Sequence, residues 1–184
     1  MMGWSPRDGE EGVPYDPSAR EAYEAGKASP YAPWAWPTEL RVGRNTHGCF
    51  PEIAVRAHYE QRGYCVLLSE PQYPDEGGFI FLHYRGMRMR GHPAFVRLAA
   101  RFPDHDLHRV AEIAREAKLA AGLGGGGGDP DLFVYHLETG EQFFVEVKDE
   151  DELHANQLVC FPIIEAELAV DVRVARLIID VESP

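Results

Sequence analysis

The sequence predicts an α/β fold, a small mixed β-sheet flanked by helices, with an irregular N-terminal arm. Two patterns lead to this prediction: apolar residues at helical spacing, as in 106–121, and short runs rich in β-branched and aromatic residues, as in 132–137 and 142–147. The two patterns alternate along the chain. With 184 residues, of which 45% are hydrophobic, the chain has the length of one domain and enough apolar material for a core.

The elements follow in a definite order. Residues 1–48 are rich in Pro and contain isolated aromatics, which indicates an irregular arm with one short helix near 18–27. Residues 49–184 form the predicted domain, in which 85–128 is a basic helical insert that ends in a Gly-rich connector. Pro51 and Gly63 fit the first turn and the end of a helix over 51–62. The other predicted elements are strands 64–68 and 79–84 around a loop at 70–78, helices 92–98 and 106–121, a strand hairpin, a helix over 151–161 that Pro162 stops, and a last strand over 170–181.

The hairpin carries the residues with the most chemical interest. If Thr139 and Gly140 form the turn, Asp131 lies opposite Lys148, and Glu146 points to the same face as both. Cross-strand neighbours and diagonals are about 5–8 Å apart, so two carboxylates could share one divalent cation. The alternate side chains of the second strand would point the other way, into a core: Phe143, Val145 and Val147.

The ordered motifs resemble those of the PD-(D/E)xK nucleases, and most closely their VRR-NUC branch. The matching pieces are an early helix with an acidic residue, Gly128-Asp129-Pro130-Asp131, Phe144-Val145-Glu146-Val147-Lys148, Asp151-Glu152-Leu153 and Gln157. The resemblance covers 50–178. It departs from the family at Asp149-Glu150, where the family usually has Gly-Pro and one further residue. A restriction-endonuclease-like core is the fold that the resemblance implies.

The resemblance also implies a site for Mg²⁺ or Mn²⁺. Asp131 and Glu146 would be ligands, with the backbone carbonyl of Val147 as another, since hard cations prefer oxygen donors. Lys148 would position or deprotonate the attacking water and offset charge at the phosphorus. For the hairpin taken alone, the alternative is an exposed surface with an ordinary cross-strand salt bridge from Lys148.

Two further residues complete the implied site. Gln157, on the helix after the hairpin, would reach the scissile phosphate or the water, although a helix-surface role is the alternative. Glu52, at the start of the first helix, would make an additional metal or water contact, or would only complement the helix dipole. The acidic run 149–152 is expected mainly to favour a helix N-terminus, with Asp151 supporting Lys148.

Charge is distributed unevenly around a net value of −12. Residues 85–128 contain eight Arg or Lys against four Asp or Glu, which gives +4, whereas 129–184 contain three against fourteen, which gives −11. The basic stretch with Arg85, Arg88 and Arg90 is the candidate for binding nucleic acid. Five glycines at 124–128 lack the Lys-Ser/Thr ending of a phosphate-binding loop, so they are interpreted as a connector.

The sequence therefore predicts a metal-dependent nuclease that hydrolyses phosphodiester bonds in DNA. The resemblance to standalone family members implies a homodimer and branched DNA as one substrate class. The alternative is a catalytically silent nuclease fold that binds or mimics DNA, or that binds a protein. Three widely spaced cysteines indicate neither a disulfide framework nor a zinc site, and without a signal pattern or membrane-length apolar run the expected location is the cytoplasm.

Overall fold

The structure, a computed structural model, describes residues 4–6, 9–25, 50–69, 82, 93–124 and 127–180. The strands in these ranges are β1 (Glu10–Tyr15), β2 (Cys65–Leu68), β3 (Leu132–Tyr135), β4 (Gln142–Lys148) and β5 (Asp171–Ile179). The helices are α1 (Pro17–Glu24), α2 (Phe50–Glu60), α3 (Pro93–Ala99), α4 (Asp104–Ala120) and α5 (Ala155–Leu168). Neither α2 nor α4 differs from its predicted range by more than two residues at any end.

The strands form one mixed sheet in the order β1-β5-β4-β3-β2. Strands β1, β5 and β4 run parallel to one another, whereas β4–β3 and β3–β2 are antiparallel pairs. Strand β4, at the centre, is buried along almost its whole length. The predicted α/β class, a small mixed sheet flanked by helices, is thus confirmed.

Helices cover both faces of the sheet. Helix α2 packs through residues such as Ile53 and Val55 onto the face that carries Phe143, Val145 and Val147. On the opposite face α3, α4 and α5 pack around Phe133 and Phe144. The alternation predicted for the second hairpin strand is therefore confirmed, and Glu146 and Lys148 belong to the face covered by α4 and α5.

The N-terminal segment is not irregular over 9–25, which corrects the prediction. Residues 10–15 form β1, which pairs in parallel with β5, and Val13 and Tyr15 enter the core. The short helix is confirmed as α1, with Asp16 capping it through the backbone N–H of Ser18. Pro14 masked the strand in the sequence, but an edge strand tolerates proline because one side of it needs no hydrogen-bond donors.

The hairpin register differs from the predicted one by two residues. Leu132 pairs with Val145, so Asp131 lies opposite Glu146 rather than Lys148. The loop is wider than a two-residue turn because the His136 N–H donates to the Glu141 carbonyl at 2.8 Å. The His136 ring nitrogen Nδ1 accepts the N–H groups of residues 138 and 139, which stabilises this wider loop. A shift of two residues preserves the face of every side chain.

Helix α5 was predicted too early and too short. It begins at Ala155 instead of 151 and continues through Pro162 to Leu168. Pro162 removes one helical N–H, but its side chain is on the exposed surface, where water can solvate the carbonyl that loses its donor. The buried side chains Phe161 and Ile164 hold the helix against the sheet on both sides of the proline.

Some predictions fall on parts of the chain that are not described. Of the predicted loop 70–78 and strand 79–84, the structure describes only Leu82, which is buried. Among the described residues, no helix is both long and apolar enough to span a bilayer.

Candidate active site

The site lies where β3 begins and β4 ends. The Ser69 N–H donates to the Asp131 carbonyl at 2.7 Å, which continues the β2–β3 ladder up to Asp131. The Asp131 carboxylate turns toward β4 and accepts the Val147 N–H through Oδ2 at 2.8 Å. The backbone therefore fixes the Asp131 side chain at the end of the hairpin, next to the last residues of β4.

Glu146 and Lys148 project from the same face of β4 and contact each other. Both side chains are 2% exposed, and Lys148 Nζ lies 3.1 Å from Glu146 Oε1. Lys148 also donates to Asp151 Oδ2 at 3.0 Å, so one ammonium group joins two carboxylates. The predicted support of Lys148 by Asp151 is confirmed as a contact.

Gln157, in the first turn of α5, completes this group. Its Oε1 accepts the His154 N–H at 2.8 Å, as the side chain of a capping box does. Its Nε2 donates to Glu146 Oε1, the oxygen that Lys148 also contacts. The structure therefore brings Asp131, Glu146, Lys148 and Gln157 together, as the sequence predicted.

The second carboxylate oxygen of Glu146 has a different environment. Oε2 is buried and has no hydrogen-bond partner among the described residues. Burial, and then the neighbouring Asp131 charge, raise the pKa of Glu146 to about 9, although Lys148 and Gln157 oppose the shift. A buried carboxylate oxygen without a donor costs free energy, which a proton or a cation would offset.

The carboxylates beside Lys148 oppose the effect of burial on its pKa. Burial alone would lower the pKa of Lys148, but Glu146 and Asp151 outweigh it and leave the pKa raised. For Asp151, burial is again opposed by Lys148, whose ammonium holds the pKa of that carboxyl below its usual value. Lys148 is therefore a cation at neutral pH in this arrangement.

The chain that leads into Asp131 is fixed by close packing on α5. Gly128 has a φ of +99°, and a Cβ built there would lie 2.6 Å from Cys160 Sγ and 3.1 Å from the Asn156 carbonyl. Lys118, fully buried on α4, donates to the Gly127 carbonyl at 2.8 Å. Residues 127–128 of the predicted connector are therefore packed and hydrogen-bonded, and at Gly128 only glycine fits both the backbone angle and the space.

The remaining predicted site residues are Glu52 and three arginines. Glu52 is half-buried in the first turn of α2, and its metal or water contact stays a prediction. Arg85, Arg88 and Arg90 lie outside the described residues. Sequence reasoning missed Lys118, which no local pattern distinguishes from a surface lysine of a helix.

The residues present suit a small divalent cation with water as additional ligands. Asp131 and Glu146 offer carboxylate oxygens, and Glu146 Oε2 is without a donor among the described residues. The Val147 N–H points toward Asp131, and a strand residue directs its N–H and C=O to the same side, so the Val147 carbonyl faces the same edge. Within the described ranges no three Asp, Glu, His or Cys side chains form a metal-sized group. Mg²⁺ commonly keeps several waters and needs only one or two protein carboxylates.

Comparison with known proteins adds little to this geometry. No protein-family model matches the chain, and no curated protein is significantly similar to it. The crystal structure of paFAN1 bound to a 5′-flap DNA with a gap is similar with a TM-score of 0.36 and 17% sequence identity. The match covers 72% of this chain and 35% of that chain. A similarity of this size establishes neither a shared fold nor a shared activity, so the resemblance to VRR-NUC proteins stays a prediction.

Proposed function

We propose that this chain is a metal-dependent nuclease that hydrolyses phosphodiester bonds in DNA. One observation carries the proposal: a buried carboxylate oxygen, Glu146 Oε2, has no donor among the described residues and stands on the same sheet face as Asp131 and the buried Lys148. An ordinary surface salt bridge would not bury a lysine and a glutamate to 2% exposure. Such burial costs free energy, and buried ionisable groups of this kind cluster at functional sites.

Asp131, Glu146 and the Val147 carbonyl would hold Mg²⁺ or Mn²⁺. When bound, the cation would offset phosphate charge and lower the pKa of a water molecule. Removal of the Glu146 proton would accompany binding, because a ligand carboxylate must be ionised.

Lys148 acts in this proposal as a fixed positive charge. Its raised pKa keeps it protonated, which favours positioning the water and offsetting charge at the phosphorus over acting as the general base. Gln157 fixes the Glu146 carboxylate through Nε2, while its Oε1 is anchored to the start of α5. Gln157 would therefore orient a metal ligand, and a direct contact with the phosphate would require its amide to exchange partners.

The oligomeric state, the type of DNA and the DNA-binding residues are proposed from the sequence. A homodimer and branched DNA follow from the resemblance, and binding through Arg85, Arg88 and Arg90 follows from the charge distribution. The site itself is surrounded by carboxylates at 149–152, so phosphate would be repelled until a cation binds.

The test is nicking of supercoiled plasmid with Mg²⁺ or Mn²⁺, compared with the same reaction in EDTA. Wild type should cut only with the metal, and Glu146→Gln should lose cleavage. Glu141→Gln is the matched control, since Glu141 is also ion-paired, to Arg173 at 2.9 Å, but at the other end of β4. Cleavage in EDTA, or cleavage by Glu146→Gln at the wild-type rate, would refute the proposal.

A second candidate is a silent nuclease fold that binds DNA or a protein. The observation in its favour is that Glu146 Oε1 is already occupied by both Lys148 and Gln157 and that the carboxylate is almost inaccessible. A silent fold predicts no plasmid nicking with Mg²⁺ or Mn²⁺, even where the metal raises the melting temperature. Metal-dependent nicking that Glu146→Gln abolishes would exclude it in favour of the nuclease proposal.

A further inference from the structure

The segment that follows Lys148 supplies one of the two carboxylates that contact the lysine ammonium. Residues 149–154 form neither helix nor strand, and they connect β4 to α5. Asp151, within this segment, accepts from Lys148 Nζ at 3.0 Å. The position of Lys148 beside Glu146 therefore depends in part on the conformation of an irregular and largely exposed connection.

Arg176 on β5 holds this connection from the neighbouring strand. Its Nη1 donates to the carbonyl of Asp149 and to the carbonyl of Asp151, each at 3.2 Å. The other side of the guanidinium forms a two-pronged ion pair with Glu10 of β1, from Nε to Oε2 at 2.5 Å and from Nη2 to Oε1 at 3.2 Å. One planar group thus joins the N-terminal strand to two carbonyls of the segment.

The sheet register places two cations side by side at this point. Lys148 of β4 and Arg176 of β5 are register partners in the parallel pair. Like charges at neighbouring positions destabilise a sheet unless something compensates them. Asp151 compensates both, because its carboxylate accepts from Lys148 and its carbonyl accepts from Arg176.

We propose that Arg176 is a positioning residue for Lys148: it fixes residues 149–151 so that Asp151 holds the Lys148 ammonium beside Glu146. The effect on catalysis rests on the proposed nuclease function, whereas the effect on the segment does not. A second contact supports the role, since Arg20 of α1 lies 2.8 Å from Asp149 Oδ2. The N-terminal strand and helix are therefore part of the support of the site.

The planar guanidinium matters more than the charge. On one side of the guanidinium, Nε and Nη2 donate to the Glu10 carboxylate. On the other side, Nη1 donates to the two carbonyls of the segment. A lysine in place of Arg176 would carry the same charge on one nitrogen and could not reach these acceptors together. We therefore expect Arg176→Lys to behave like Arg176→Gln and not like wild type.

The first experiment measures plasmid cleavage in Mg²⁺ for Arg176→Gln, Arg176→Lys and a matched control, Arg173→Gln. Arg173 lies on the same strand and is also ion-paired, to Glu141 at 2.9 Å, but it has no contact with 149–151 among the described residues. Both Arg176 variants should lose about 10- to 100-fold in kcat with little change in KM, as expected when a catalytic group is misplaced by about 1 Å. Arg173→Gln should keep the wild-type kcat.

The second experiment needs no enzymatic activity. Hydrogen exchange of the peptide containing 149–154 should accelerate in both Arg176 variants and stay unchanged in Arg173→Gln. Acetylation by a small amine-reactive ester, mapped by mass spectrometry, should reach Lys148 faster in the Arg176 variants, because its side chain is 2% exposed while Asp151 holds it. Melting curves should show that each variant remains folded at the assay temperature.

The outcomes separate the two proposals. If wild type does not cut DNA but exchange and acetylation change as expected, the nuclease proposal fails and the positioning role stands. If exchange and acetylation in the Arg176 variants match those of Arg173→Gln, the positioning role is refuted whatever the cleavage result. Recovery of wild-type values by Arg176→Lys would overturn the requirement for a planar guanidinium, because charge alone would then be sufficient.

Discussion

Replacing Asp131 with Asn should stabilise the metal-free protein. Asp131 lies opposite Glu146 in the hairpin register, and its charge is one of the causes that raise the pKa of Glu146. At the separation of directly opposed side chains, about 5 Å, two unit charges would repel by about 3 kcal/mol at an effective dielectric constant of about 20, so Asp131 favours the protonated form of Glu146. The substitution would remove this contribution to the Glu146 pKa shift and the free energy that it costs the folded protein near neutral pH, while the side-chain oxygen of the new amide could still accept the Val147 N–H.

The net gain is smaller than the repulsion. Exchanging a charged acceptor for a neutral one weakens the hydrogen bond from Val147 by about 1 kcal/mol. A net stabilisation of about 1–2 kcal/mol remains, which for a chain of this size corresponds to a rise of about 3–6 °C in Tm. Differential scanning calorimetry in EDTA measures it directly.

The stabilisation by Asp131→Asn should increase with pH. Because the folded-state pKa of Glu146 is raised, to about 9, the folded protein binds a proton that the unfolded chain has released between about pH 4.5 and 9. This carboxyl therefore lowers stability progressively as pH rises through that window. The Asp131→Asn variant, which lacks one cause of the shift, should gain little at pH 4 and most at pH 8.

Asp151→Asn is the matched control for this experiment. Its carboxyl is held below its usual pKa by Lys148, so its ionised form is stabilising and its loss should lower Tm at pH 8. The two substitutions are chemically identical and should have opposite signs. A lower Tm for Asp131→Asn, or equal Mg²⁺-induced shifts in wild type and Asp131→Asn, would refute the reasoning that Asp131 is a repelled ligand.

Lys148, Gly128 and the basic stretch each give a further prediction. Lys148→Ala should abolish metal-dependent plasmid cleavage with the circular dichroism spectrum unchanged, and cleavage at the wild-type rate would remove Lys148 from the site. Gly128→Ala should lower Tm by several degrees, because its Cβ would lie 2.6 Å from Cys160 Sγ at a φ of +99°; a Tm equal to wild type would show that this packing is absent. Replacing Arg88 and Arg90 together by Ala should weaken duplex binding in Ca²⁺ and flatten its salt dependence in fluorescence anisotropy, and an unchanged salt slope would place the phosphate contacts elsewhere.

The face of each hairpin residue was predictable, whereas the register was not. Alternation determines that Glu146 and Lys148 share a face, and a register shift of two residues, unlike a shift of one, leaves their relation to Asp131 unchanged. The register depends on the loop, which the His136 ring widens by accepting two backbone N–H groups. The register therefore depends on the position of the His136 side chain, which no sequence pattern indicates.

Contacts between distant parts of the chain were also beyond prediction. Glu10 and Arg176 are 166 positions apart, and β1 carries a proline and a glycine that argue against a strand. Helix α5 passes through Pro162 because Phe161 and Ile164 are buried on both sides of it, so tertiary packing outweighs the local penalty. In both cases the element is stabilised by its contacts with the rest of the sheet and core. The residues that make those contacts are distant in sequence, so the local sequence does not show them.

A cation bound at the proposed site and the contacts of Arg176 would both affect the Lys148 ammonium. Without a cation, Glu146 has one oxygen shared by Lys148 and Gln157 and one without a donor among the described residues, so ionising it is unfavourable. A divalent cation at Oε2 would supply the missing partner, but it would also repel the Lys148 ammonium. Asp151, held by Arg176, then provides the carboxylate that keeps Lys148 in place. The cation and the Arg176 contacts would therefore be complementary, and releasing residues 149–151 should cost most when the metal is bound.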